Sequence, residues 1–143
     1  VLESRIKQAG AKVDVQVAEP EPVAWCDGNR LEQVLVNLIN NALDAMAGAS
    51  TPRVQVRCEL LNGQVHVHVR DHGPGLSEEA IAHLFEPFFT TKGSRDGLGL
   101  GLALSAGIVR ESGGTLGGAN HPGGGAVFHL TLPAAQPGQP QPS

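Results

Sequence analysis

Two glycine clusters, Asp71-His72-Gly73-Pro74-Gly75 and Gly97-Leu98-Gly99-Leu100-Gly101, stand on either side of Leu84-Phe85-Glu86-Pro87-Phe88-Phe89-Thr90-Thr91-Lys92. Glycine lets backbone approach a ligand closely and adopt positive φ. An alternating Gly-x-Gly-x-Gly run just before an apolar helical stretch also leaves N–H groups aimed at an anion. The order of these segments describes a nucleotide pocket with a movable cover, and the natural anion is a polyphosphate.

The elements around the clusters can be placed by period. Ala11 to Ala18 alternates Val13, Val15 and Val17 with polar residues and reads as a strand. Asp27 or Asn29 caps a long helix to about Ala47. Residues 53–61 and 64–70 flank Asn62-Gly63, a strong hairpin signal, so they pair antiparallel. Ser77 with Glu78 and Glu79 opens a short helix ending near Phe85, and residues 102–111 form another, stopped by Gly113-Gly114. Residues 115–119 and 126–132 complete the sheet around His121-Pro122-Gly123-Gly124-Gly125. The predicted fold is an α/β two-layer sandwich: a mixed, mostly antiparallel sheet with helices on one face.

The long helix carries a second signal. At 100° per residue, Gln33, Asn37, Asn40, Asn41 and Asp44 share an arc of about 100°, while Leu31, Val34, Leu35, Val36, Leu38, Ile39, Ala42, Leu43 and Met46 fill most of the rest. A solvated stripe normally carries Lys and Glu; this one carries amides and one acid. Each interior Asn costs a few tenths of a kcal/mol relative to Ala, so the stripe reads as a ligand face. An Asn carbonyl oxygen is a hard neutral donor, suited to Mg²⁺ that keeps several waters and bridges to phosphate.

Composition removes other classes. Aromatics make up 3% with no Tyr, and the net charge is −4, which argues against nucleic acid or an anionic membrane surface as partner. At 143 residues and 41% hydrophobic content the chain suits one domain with an aliphatic core. Cys26 and Cys58 lack metal-type spacing and read as free thiols of a cytoplasmic protein. The chain opens with Val inside what reads as a helix end, so it is expected to be part of something longer. The expected division is the end of a linker helix at 1–10, the domain proper at 11–133, and a disordered Pro/Gln-rich tail at 134–143.

Asn37-Leu38-Ile39-Asn40-Asn41-Ala42, Asp71-His72-Gly73-Pro74-Gly75, Phe85-Glu86-Pro87-Phe88-Phe89 and Gly97-Leu98-Gly99-Leu100-Gly101-Leu102 resemble, in order, the N, G1, F and G2 boxes of the ATP-binding catalytic domain of bacterial sensor histidine kinases, of the Bergerat fold. The Phe-Glu-Pro-Phe-Phe-Thr-Thr-Lys variant, the short lid and Asn120-His121-Pro122 resemble the branch of nitrogen-regulatory and C4-dicarboxylate sensors. The resemblance implies Mg²⁺ on Asn41 with help from Asn37, and ATP with its adenine amine on Asp71. Gly73 and Gly75 would lie against the base, and Gly97, Gly99, Gly101 and the N–H of Leu102 at the phosphates. Phe85, Phe88 and Phe89 chiefly anchor the lid to the core. Thr91 and Lys92 begin the lid, where Lys92 is either a phosphate ligand or a solvated lysine. Two departures stand out: Asp44 occupies a position where many relatives carry a basic residue, and the lid offers Arg95 as the substitute cation.

ATPases of the same fold place a Glu where Asn37 sits, to activate water; an amide cannot take a proton. The resemblance therefore implies donation of the γ-phosphate to a histidine on a separate helical dimerisation domain, in a homodimeric parent that signals to a response regulator. The domain itself is expected in the cytoplasm without direct membrane contact, whether or not the parent spans the inner membrane. The alternatives are an ATPase of this fold or a non-catalytic nucleotide-binding module. None of His66, His68, His72, His83, His121 and His129 is followed by an acid, so the acceptor is expected elsewhere. His66 and His68 alternate with valines and read as a solvated strand face, with a zinc pair as the lesser reading.

Overall fold

The computed structural model describes residues 2–19, 23–86 and 100–135. They form α1 (Leu2–Ala9), β1 (Lys12–Val17), α2 (Gly28–Ala45), β2 (Arg53–Leu61), β3 (Gln64–Asp71), α3 (Glu78–His83), α4 (Leu100–Glu111), β4 (Thr115–Asn120) and β5 (Ala126–Pro133). The strands make a sheet of order β1-β2-β3-β5-β4, with β1 parallel to β2 and the other pairs antiparallel. The mixed, mostly antiparallel sandwich expected from the sequence is therefore present.

Local chemistry accounts for the joints. Asn62 (φ 52°) and Gly63 (φ 76°) both take positive φ, as the two-residue turn between right-twisted strands requires, and Leu61 faces Gln64 across it. Asp27, one of the two candidate caps, accepts from Asn29 N at 2.9 Å and starts α2; Asn29 lies inside the helix. Ser77 caps α3 by accepting from Ala80 N at 3.0 Å.

The core lies between one face of the sheet and α2 with α4. Val54, Val56, Val65, Val67, Val69, Phe128, Leu130 and Leu132 meet Val34, Leu38, Leu43, Ile108 and Val109 there. On α2, Leu31, Leu35 and Ile39 pack only partly buried against this cluster. The strand expected at 11–18 is β1, where Val13 packs against the core while Val15 and Val17 remain 61% and 50% exposed. No helix among the described residues is long and apolar enough to cross a membrane.

The opposite face of the sheet corrects one expectation. His66 and His68 are half-buried rather than solvated, because His129 on β5 stands beside them. His66 Nδ1 and His129 Nε2 share a hydrogen bond at 2.9 Å, and the His68 and His129 rings stack at 4.2 Å. Burial pushes both His68 and His129 below the ordinary 6.5, aided by their charged-state repulsion with neighbouring histidines and, for His68, by Arg57; Glu59 opposes this. A depressed histidine favours the folded state while neutral, and the unfolded chain takes up protons first as pH falls. This contribution to stability should be complete above about pH 6.5 and be lost as pH falls through the folded-state pKa values. Urea denaturation at pH 8 and pH 5.5 should show the loss, and His129→Gln should reduce it; an unaltered pH dependence in that variant would refute the assignment.

Candidate functional site

The site is built along α2. Near its middle, Asn37 Nδ2 donates to Gly101 O at 3.3 Å and to Ser105 Oγ at 3.1 Å, which ties the helix to the first turn of α4. With the amide nitrogen committed to α4, the Asn37 carbonyl oxygen is the part free to meet a ligand. Ser105 is completely buried, and this bond gives its hydroxyl oxygen a donor. A Cβ on Gly101 would lie 3.9 Å from Asn37 Cγ, so the start of α4 passes close over the stripe. Asn41 is half-buried one turn further along α2. Between them in sequence, Asn40 carries a buried Oδ1 with no hydrogen-bond partner among the described residues.

The C-terminal end of α2 meets the Asp71 loop. A Cβ on Gly73 would come within 2.8 Å of Ala45 O, so only glycine passes here without displacing backbone. His72 N points at Met46 Sδ at 3.4 Å. Asp71 ends β3 and is 2% exposed. Its Oδ1 accepts from Gly73 N at 2.8 Å and from Ala126 N at 3.2 Å. One carboxylate oxygen thus joins β3, its own loop and β5, which leaves Oδ2 for a ligand.

Asn37 and Ala45 lie about 12 Å apart along the helix axis at the usual rise. The structure therefore puts the Asp71 loop at one end of the stripe and the start of α4 at the other. Asn37, Gly101 and the half-buried Leu102 gather at the second end; Asp71, Gly73 and Gly75 at the first. Phe85 packs, partly buried, against the core. Thr91, Lys92, Arg95, Gly97 and Gly99, with Phe88 and Phe89, lie outside the described residues.

The donor set is consistent with Mg²⁺. No group of three or more His, Cys, Asp or Glu among the described residues converges to hold a metal. What the stripe offers from residue 37 to 41 is neutral amide oxygen: Asn37, Asn41 and Asn40, whose Oδ1 has no partner among the described residues. Hard oxygen donors of that kind suit an ion that keeps waters and takes most of its charge compensation from phosphate.

The sequence reading passed over several contributors. Ser105 sits one turn beyond Gly101 in an apolar helix, a spacing that could have marked it. Asn120 enters the sequence reading only through the Asn120-His121-Pro122 resemblance, yet its amide grips the loop after Gly75: Oδ1 accepts from Leu76 N at 2.6 Å and Nδ2 donates to Leu76 O at 2.9 Å.

Residues 26–136 match the family described as histidine kinase-, DNA gyrase B- and HSP90-like ATPase. The chain is 46% identical to the C4-dicarboxylate transport sensor protein DctB of Pseudomonas aeruginosa over 125 residues, 83% of this chain and 20% of that protein. It thus spans about a fifth of that relative's length. Among solved structures, the nucleotide-free catalytic domain of the histidine kinase ThkA superposes with a TM-score of 0.79 at 30% identity, covering 92% of this chain and 84% of that one. Full-length ShkA in complex with AMPPNP gives 0.79 at 32% identity, covering 94% of this chain and 28% of that one.

Proposed function

The chain belongs to the histidine kinase-, DNA gyrase B- and HSP90-like ATPase family, and from that premise we propose that it is the ATP-binding catalytic domain of a sensor histidine kinase. It binds Mg-ATP and presents the γ-phosphate to a histidine on a separate helical dimerisation domain of the same homodimeric parent. A response regulator then receives the phosphoryl group.

The observation that carries this reading is Asn37. It occupies the position from which an ATPase of this fold would activate water, and it is an amide whose nitrogen is spent on Gly101 O and Ser105 Oγ. It can orient a ligand but cannot abstract a proton, so the pocket favours holding ATP over hydrolysing it. The AMPPNP complex of a similar kinase supports nucleotide binding, and the sensor kinases among the relatives support the acceptor class.

In this reading Asp71 Oδ2 accepts from the adenine amine, and Gly73 and Gly75 let the loop backbone lie against the base. Asn41 and Asn37 would hold Mg²⁺, which when bound neutralises charge on the phosphates. Gly97, Gly99, Gly101 and the N–H of Leu102 would receive the phosphate oxygens, with Thr91 and Lys92 closing from the lid. In the transfer a histidine ring nitrogen bonds to the γ-phosphorus as its bond to the β,γ-bridging oxygen breaks. ADP leaves and the ring proton passes to solvent. Catalysis is chiefly placement of the acceptor in line.

Radiolabelled ATP tests the assignment. The chain alone should bind nucleotide without labelling itself or turning over appreciably; with the parent's helical domain, label should appear on a histidine of that domain. Rapid hydrolysis by the chain alone would move it to the ATPase branch of the family. Stable label on one of its own six histidines would place the acceptor within it.

A further inference from the structure

Asn120, which the sequence marks only through the Asn120-His121-Pro122 resemblance, holds a position that binds two loops together. It ends β4 opposite Ala126, whose N–H bonds Asp71 Oδ1. Its side-chain amide is paired with both backbone groups of Leu76, accepting at 2.6 Å and donating at 2.9 Å. That arrangement uses the one property peculiar to a primary amide: a donor and an acceptor side by side in one plane. Leu76 is also anchored by its side chain, which packs against the core.

The loop is thereby fixed at both ends. Asp71 Oδ1 fastens Gly73, and Asn120 fastens Leu76. Between them Gly75 adopts φ 86°, and a Cβ there would lie 2.8 Å from Asn120 Oδ1, so the loop backbone lies directly against the clamp. The support behind it is firm: Arg70 Nη2 donates to Gly124 O at 3.0 Å, and His121 exchanges bonds with Gly124 and Gly125 across the β4–β5 turn.

We propose that Asn120 is a positioning residue for base recognition, holding the Gly73–Leu76 backbone where it forms the wall against which an adenine lies. This rests on the nucleotide reading above. A loop already ordered before binding loses less entropy when ligand arrives, so the clamp favours the base-dependent part of affinity. Asp at this position keeps the acceptor but sets a carboxylate oxygen against Leu76 O; Ala removes both bonds.

The test is calorimetric titration of ATP and GTP into the intact chain and its Asn120→Ala and Asn120→Asp variants, with melting temperatures measured alongside. The Ala variant should lose about tenfold in ATP affinity and the Asp variant more. GTP, held mainly through its phosphates, should change little, so the ATP-to-GTP preference falls, and more for Asp than for Ala. Unchanged ATP affinity, or equal losses for both nucleotides, would overturn the proposal, the second outcome assigning Asn120 to general stability. If a variant melts early, titration well below its midpoint gives the same ratio. Failure of the underlying reading would look different: the unmodified chain would not bind ATP, or Asp71 variants would bind it normally.

Discussion

Replacing Asp71 with asparagine should lower ATP affinity by about 10- to 150-fold while leaving the melting temperature near that of the unmodified chain. The carboxylate has two separable tasks. Oδ1 accepts from Gly73 N and Ala126 N, and an asparagine carbonyl can take over both bonds. In the proposed reading Oδ2 meets the adenine amine; there the substitution puts an NH₂ where an acceptor is needed, and a bond to a charged acceptor contributes about 1.5 to 3 kcal/mol. The purine 6-position is a donor in adenine and an acceptor in guanine, so the same variant should gain affinity for GTP. Asp71→Ala, which removes both tasks, should lose nucleotide and stability together. Calorimetry with both nucleotides and a thermal scan would decide; undiminished ATP affinity in Asp71→Asn would rule out the base assignment.

Gly125→Ala should unfold the domain at a temperature lower by about 10 °C or more. Gly125 has φ 81°, where an L side chain costs about 1 to 2 kcal/mol. A Cβ there would also overlap the backbone carbonyl oxygen of Asp71, which has no flexible end to give way. Displacing that strand end costs several kcal/mol more, against a total stability of about 5 to 15 kcal/mol. Gly124→Ala provides the comparison: φ is 106°, yet nothing lies within 4 Å of the added methyl. It should show the strain alone, with a markedly smaller drop. Equal melting shifts for the two variants would mean that the Asp71 overlap relaxes freely.

How much of this was readable in one dimension depends on how far each signal reaches along the chain. Alternating valines, the Asn62-Gly63 turn and the caps at Asp27 and Ser77 are local, and the elements they predict are present. The amide stripe on α2 was visible because a helix maps spacing onto direction. The long-range pairs were not: Ser105, the partner of the stripe's Asn37, lies 68 residues from it, and Asn120, the partner of the loop's Leu76, lies 44 away. Only sheet order and helix packing bring those pairs together. His129 was read alone for the same reason. The antiparallel register of β3 and β5 sets it opposite His68, and two apparently solvated side chains become three sharing a face.

α2 acts as a gauge. Its two working ends are set by one uninterrupted run of backbone: the amide tether at Asn37 and the carbonyl of Ala45 against which Gly73 rests. Removing one residue between them would draw the ends together by about 1.5 Å and swing one through about 100° relative to the other. The separation between whatever is gripped at either end is therefore not adjustable in small steps. A lineage could change the chemistry at each end by substitution, but could alter the length of molecule spanning them only by rebuilding the contacts at one end outright.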